Sequence, residues 1–388
     1  MAHRAGSPRD SIRPVSSVRI LLDYRPALRQ RTGVGEYVHE LARALEHSSP
    51  EDESLLLFSA SWKDRLSEAV IPGLEVVDRR IPVRLLNTAW HRLGWPPAEW
   101  LAGRDLDVAF SAHPLLMPAR RAARVVTVHD LHFLDHPEHT LVEIRRDYPV
   151  LAAEHARTAD RVIAVSRHTA AETGRRLGVD ADRISICSPG RPGWSRREKE
   201  PRDGCILFLG TLEARKNLGA LVEAYERLVS TGVEVPRLVL AGRQTDDSTQ
   251  VIARTRRPPL AGRVELPGYV EPQHREALFR SALVVVMPSH LEGFGIPALE
   301  AMTCGVPVIA ANRGALPEVV GAAGLLVDPE DPGAIANALQ SVLGDPNRRR
   351  QMREAGWQES TRYSWADTAR GVREAWHLAI ETRRRTRE

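Results

Sequence analysis

Short, nearly continuous apolar runs alternate along the chain with longer stretches whose apolar positions recur every three or four residues. Runs of the first kind occupy residues 18–22 (VRILL), 55–58, 74–77, 108–110, 125–129 (VVTVH), 162–165 and 184–187. They resume at 206–209 (ILFL), 238–241, 264–266, 283–287, 306–310 and 325–327. A short run with no polar alternation reads as a strand buried on both faces. Helical spacing covers 36–47, where Tyr37, Leu41, Ala44 and Leu45 share a face. It recurs over 140–158, 167–177, 218–229, 275–280, 297–303 and 332–343, and most of 345–385 reads as helix. Strands alternating with amphipathic helices predict parallel sheets with helices on both faces.

The alternation breaks once, at 188–203 (SPGRPGWSRREKEPRD), which is rich in Pro, Gly and charge and reads as a linker. The expected fold class is therefore α/β, with two doubly wound, Rossmann-like parallel-sheet domains facing a cleft. The domains are 18–187 and 204–365, joined by 188–203. Residues 1–17, polar and Arg-bearing, read as a disordered tail. Residues 366–388 read as a further helix with a basic tail, frayed over 383–387. Ligands of such sheets sit at the carboxyl ends of the strands, so chemistry is expected in the loops that follow them.

Composition narrows the classes. At 388 residues the chain has room for two or three domains. No apolar run reaches the roughly 18 residues of a spanning helix. The three cysteines, Cys187, Cys205 and Cys304, are odd in number and widely spaced. They make neither a disulfide framework nor a zinc pattern, and a reducing cytoplasm is the simplest compartment. A net charge of +4 permits anionic partners without choosing among them. Of the 54 basic residues only Lys63, Lys199 and Lys216 are lysine, which draws attention to Lys216.

Three loops carry candidate chemistry. Gly33-Val34-Gly35 lies between the first strand and a helix, where backbone N–H groups can approach an anion. Residues 210–217 (GTLEARKN) follow the first strand of the second half. There Arg215 offers a planar fork and Lys216 a compact charge for phosphate oxygens. Cations at a helix start oppose the macrodipole unless an anion compensates. Residues 292–300 (EGFGIPALE) combine Glu292, Gly293, Phe294, Gly295 and Ile296 with Pro297 in a first helical turn and Glu300 one turn on. Carboxylates so placed accept hydrogen bonds from sugar or ribose hydroxyls.

With these residues in view, the chain resembles the retaining nucleotide-sugar glycosyltransferases of family 4, which have the GT-B fold. The resemblance rests on EGFGIPALE, GTLEARKN and TGVGEY, on VHDLHFLDHPE (128–138), and on AVSRHT, ISICSPG and LPGYVE. It spans about residues 18–376. It implies that Gly33, Gly35, Arg215 and Lys216 hold the donor diphosphate. Gly293, Phe294, Gly295 and Ile296, with Glu292, would hold the donor sugar. Glu300 would bind the ribose, Val270 would help frame the base, and His129 would sit at the sugar. It also implies retention by front-face attack, with the leaving diphosphate accepting the acceptor's proton. In a double displacement Glu292 would be the nucleophile. No metal or cofactor is implied beyond the donor. Many members carry Arg where this chain has Thr211, a variant that leans toward mannosyl donors of the GDP-mannose kind. The final helix is expected to cross back to the first domain, as the family's does. The acceptor would be a glycan, a lipid-linked glycan or a small molecule. The alternative is a non-catalytic sugar-nucleotide-binding protein or a peripheral membrane adaptor.

Other patterns read as decoys. Asp105-Leu106-Asp107 precedes a strand rather than following one, unlike a metal-binding D-x-D. The spacing of His129, His132, His136 and His139 fits no zinc site. Residues 82–100 are basic and Trp-bearing and could lie on the inner membrane face. The favoured reading makes Leu86, Trp90 and Leu93 core and the other tryptophans packing anchors. No nucleic-acid-binding motif occurs.

Overall fold

The computed structural model describes residues 17–28, 31, 33–136 and 147–387. The expected disordered tail, save Ser17, and the first part of the helix expected over 140–158 lie outside them. The first sheet has seven strands: β1 (Val18–Asp23), β2 (Glu53–Ala60), β3 (Glu75–Arg79), β4 (Val108–Ser111), β5 (Ala123–Val128), β6 (Arg161–Ala164) and β7 (Ile184–Ile186). Their order is β3-β2-β1-β4-β5-β6-β7. The second sheet has β8 (Cys205–Leu209), β9 (Leu238–Ala241), β10 (Val264–Gly268), β11 (Ala282–Met287), β12 (Val308–Ala311) and β13 (Leu325–Val327), in the order β10-β9-β8-β11-β12-β13.

Every strand pair is parallel. All thirteen apolar runs of the sequence are strands. Every residue of β8, and all but one of β11, is buried, as double coverage by helices requires. In both sheets the chain order reverses beside the first strand, β1 or β8. Two switch points thus face each other across the molecule.

Residues 187–204 connect the sheets without helix or strand. A second crossing returns the chain. After the helix Pro346–Ser360, the helix Trp365–Arg385 packs on β4 through β7 and on the helix Val34–His47. Trp376 is buried with its ring 5.6 Å from that of Phe110. The two crossings are tied together. Arg191 N donates to Tyr363 O at 3.1 Å, and Thr368 Oγ1 to Ser188 O at 2.6 Å. The basic end is not frayed. The helix continues through Arg385, and the Arg383 guanidinium donates to Arg120 O at 3.1 Å.

Residues 82–100 also differ from the favoured reading. Leu86 and Trp90 of the helix Val83–Leu93 are core, but Leu93, Trp95 and Trp100 are exposed. Among the described residues no helix is long and apolar enough to cross a membrane.

Candidate active site

A cleft of about 370 Å³ opens between the two sheets, where β1, β5, β8 and β11 end. It is lined by Gly33, His129, Arg215, Lys216, Val270, Glu292, Gly293, Phe294, Gly295 and Ile296. Parallel strands deliver their carboxyl ends to one side, so residues distant in sequence meet there.

The centre is an ion-pair network. Lys216 Nζ donates to Glu292 Oε1 at 2.6 Å, and Ser289 Oγ donates to the same oxygen at 2.7 Å. Arg215 Nη1 lies 3.7 Å from Glu292 Oε2 and 3.6 Å from Asp130 Oδ2. Burial works to raise the Glu292 pKa. Lys216 and Arg215 outweigh it and hold the carboxyl below its usual range. Lys216 does not begin a helix. It ends a separate turn, Ala214–Lys216, and Asn217 then takes a left-handed conformation (φ 54°). The Asn217 amide secures that bend by donating to Pro288 O at 3.2 Å and Pro329 O at 2.7 Å. The helix Leu218–Ser230 starts only after it.

Above the network stands the helix Ile296–Thr303, opened by Gly295 at φ 107° with Pro297 in its first turn. Only glycine adopts that φ cheaply, and the first N–H groups of the helix have no intrahelical acceptor. Gly293 is glycine for another reason. It lacks a positive φ, but a Cβ there would lie 1.6 Å from the His129 carbonyl oxygen. Ser166 Oγ and Thr169 Oγ1 donate to Gly293 O at 2.7 and 3.0 Å. A loop of the second domain is thereby clasped by the first.

Two further contacts close the molecule. Glu318 accepts the N–H groups of Arg167 (3.1 Å) and His168 (3.3 Å) at the start of the helix Arg167–Leu177. Tyr269 Oη donates to Arg31 O at 3.0 Å.

His129 follows β5, half-buried, with its Nε2 2.9 Å from Ala112 O. A carbonyl can only accept, so Nε2 carries the hydrogen and Nδ1 keeps its lone pair. Burial lowers the imidazole pKa and favours this neutral form. The ring of Tyr37 meets it edge-on at 4.8 Å.

Two expected residues do not line the cleft. Gly35 is buried in the first turn of Val34–His47, where a Cβ would come 2.6 Å from Pro26 O. Its small size serves packing within the first domain. Glu300 is buried behind the cleft wall, where Arg275 Nη2 donates to its Oε2 at 2.5 Å. Burial pushes the Glu300 pKa up to about 7. Arg275 opposes that shift and the nearby Glu36 adds to it. Arg275 and Glu318 carry no motif signal and emerge only from the packing; Glu36, within TGVGEY, and Ser289 have no role until the packing gives them one. Among the described residues no group of three or more His, Cys, Asp or Glu is placed to hold a metal. Asp107 lies at the far end of the first sheet, where Oδ2 accepts Arg19 N–H at 2.8 Å.

Comparison with known proteins agrees with this architecture. Residues 31–191 match Glycosyltransferase Family 4, and residues 194–359 match Glycosyl transferases group 1. O-antigen chain mannosyltransferase B of Escherichia coli is 32% identical over 373 residues, covering 90% of this chain and 96% of that protein. The chain belongs to glycosyltransferase family 4. A D-inositol 3-phosphate glycosyltransferase of Xylanimonas cellulosilytica is 29% identical, over 92% of the transferase described here and 94% of its own length. Sucrose-phosphate synthase from Thermosynechococcus elongatus superposes on this transferase with a TM-score of 0.75 at 20% identity. The match covers 93% of the transferase and 98% of the synthase and identifies the fold as GT-B.

Proposed function

We propose that this glycosyltransferase moves a hexosyl or deoxyhexosyl group, mannosyl foremost, from a nucleoside diphosphate sugar to a glycan, a lipid-linked glycan or a small acceptor, with retention and without a metal. The observation that carries this reading is the convergence of Lys216, Arg215 and the open N-terminus of Ile296–Thr303 on one cleft. Two cations and a helix start are suited to a diphosphate, with Gly33 facing it from the first domain. The mannosyl preference draws on the name of the Escherichia coli relative and on Thr211.

In this scheme the bond between the anomeric carbon and the phosphate oxygen breaks first. The acceptor hydroxyl then adds from the same face and passes its proton to the leaving phosphate. Lys216 and Arg215 stabilise the charge that develops on the diphosphate. Glu292 is occupied by Lys216 and Ser289, which suits it to anchoring the sugar rather than attacking it. His129 offers Nδ1 as an acceptor to a sugar hydroxyl. Glu300 receives the ribose diol once Arg275 yields or shares its carboxylate. Val270 borders the base.

Thermal shift with GDP, UDP, dTDP and ADP, each free and as its sugar conjugate, tests the donor. A ligand at about 100 times its Kd adds roughly 2.7 kcal/mol. One nucleotide series is expected to stabilise the wild type, and neither Lys216→Ala nor Glu300→Ala. No stabilisation of the wild type at millimolar nucleotide would sink the proposal. The anomeric proton coupling of the product in NMR then reports retention or inversion.

A further inference from the structure

The residues proposed for the donor sugar stand on two walls of the cleft. His129 belongs to the first domain, Phe294 to a loop of the second. Neither is fixed by its own loop alone. Phe294 lies between Gly293 and Gly295, the latter at φ 107°, so its backbone is free to turn. The bond from Nε2 of His129 to Ala112 O holds one edge of the imidazole, but the ring can still swing about it.

Each side chain meets an aromatic ring that only the packing supplies. The ring of Tyr363 stands 5.4 Å from that of Phe294, at 82°. Tyr37, buried on the helix Val34–His47, stands 4.8 Å from His129 at 83°, and the Trp365 ring backs Tyr37 at 5.8 Å. Edge-to-face pairs prefer an angle as well as a distance, so they oppose the turning of either ring.

Tyr363 and Trp365 flank one residue, Ser364, where the chain returns to the first domain between the helices Pro346–Ser360 and Trp365–Arg385. Ser364 is extended (φ −128°, ψ 143°) and caps the final helix, its Oγ accepting Asp367 N–H at 3.0 Å. An extended residue sends the side chains before and after it to one side of the chain. The return segment is itself clamped. Tyr363 Oη donates to Glu318 O at 3.3 Å. A Cβ on Gly190 would lie 2.1 Å from Trp365 N, so the two crossings touch backbone to backbone.

We propose that this return segment positions the donor sugar: Tyr363 sets Phe294 on one wall, and Trp365, through Tyr37, sets His129 on the other. The proposal rests on the reading of His129 and Phe294 as sugar-side residues. Tyr37, Tyr363 and Trp365 do not line the cleft, so each acts through another side chain. The diphosphate and ribose are assigned to Arg215, Lys216 and Glu300, outside this chain of rings. The brace therefore bears on the sugar and not on the nucleotide. Without it the imidazole swings off Ala112 O, and its preference for one tautomer goes with that bond.

The test is isothermal titration of the full chain with GDP and GDP-mannose, and with UDP, dTDP and ADP beside their glucose conjugates. In the series that binds, affinity for the conjugate relative to the free nucleotide is expected to fall about three- to tenfold in Trp365→Leu and in Tyr363→Leu, the range an aromatic pair supplies. Affinity for the free nucleotide is expected to stay unchanged. Tyr37→Phe keeps the ring and should match the wild type, whereas Tyr37→Leu should behave as Trp365→Leu does. Nitrogen NMR of isotopically labelled histidines reads the brace without ligand. His129, assigned by its loss in His129→Gln, is expected in one tautomer in the wild type and in Tyr37→Phe, and in a mixture in Trp365→Leu and Tyr37→Leu. Three results would overturn the proposal: an unchanged affinity ratio in both Trp365→Leu and Tyr363→Leu, an equal loss for nucleotide and conjugate, or a His129 signal indifferent to Trp365→Leu and Tyr37→Leu. A wild type that binds none of the nucleotides would instead overturn the donor reading, and the His129 spectra would still decide the brace.

Discussion

Glu292 and Glu300 stand on one loop-and-helix segment, yet their surroundings drive their protonation in opposite directions. Both are buried. Glu292 faces two cations and stays ionised, whereas Glu300 has Arg275 alone and a second carboxylate, Glu36, nearby. A ribose diol needs an ionised carboxylate as acceptor. Nucleotide affinity should therefore rise as pH climbs through about 7 and weaken below it, as Glu300 takes up a proton. Calorimetric titrations from about pH 6 to pH 8 are expected to show that rise in the wild type and a flatter profile in Glu300→Gln. Equal slopes in the two proteins would remove Glu300 from the ribose. At this scale much was legible. The loop motifs led to Lys216, Arg215, Glu292 and Gly295, because a rare lysine and paired glycines leave marks in a sequence. Arg275 left none. It is one arginine among many, and only the packing of Pro272–Arg280 near Ile296–Thr303 gives it a partner.

Elements were more legible than contacts. Strands covered on both faces must be apolar throughout, which is why runs such as ILFL and LVVVM stand out. The expected end of β10 falls at Leu266 because Pro267 follows. The strand in fact runs to Gly268, since it lies at the sheet edge, where proline's missing N–H costs little. The helix Thr249–Thr255 was missed because only Ile252 and Thr255 are buried, too few to set a period. The loop before Ile296–Thr303 shows what sequence alone misjudges. Its first glycine is expected only at the donor sugar, but its missing Cβ also lets two domains touch. Gly293→Ala should therefore leave the second domain folded and nucleotide stabilisation largely intact, because φ there is ordinary. Transfer should fall about a hundredfold or more, since displacement of roughly 1 Å at a reacting centre is that costly. Steady-state kinetics beside thermal shift would reveal the split. A variant that transfers normally would mean that the contact at His129 is dispensable.

At the scale of the whole molecule, a handful of hydrogen bonds among the described residues hold the two sides of the cleft together. Glu318 caps a helix of the opposite domain, Ser166 and Thr169 hold the Gly293 carbonyl, and Tyr269 reaches Arg31. Loss of one such cap costs on the order of 0.5–2 kcal/mol, enough to shift an open–closed balance several-fold. Glu318→Ala is expected to enlarge the radius of gyration in solution scattering without ligand. Saturating nucleotide sugar should restore it. An unchanged radius would show that closure does not depend on that carboxylate. A cleft between two domains was foreseeable from two sheets joined by one linker, but not the residues that bridge it. They depend on how the domains sit, which no local pattern encodes.

The helix that seals β4 through β7 has a consequence for how the molecule is made. Trp376 completes a core whose strands end at Ile186, and the whole second domain is synthesised between them. At ribosomal speeds that interval is on the order of 10–40 s. During it the first sheet has emerged with one flank of its core still bare. The domain that is translated first is thus the last to be finished. A nascent chain in that interval exposes Phe110 and its apolar neighbours to any chaperone within reach.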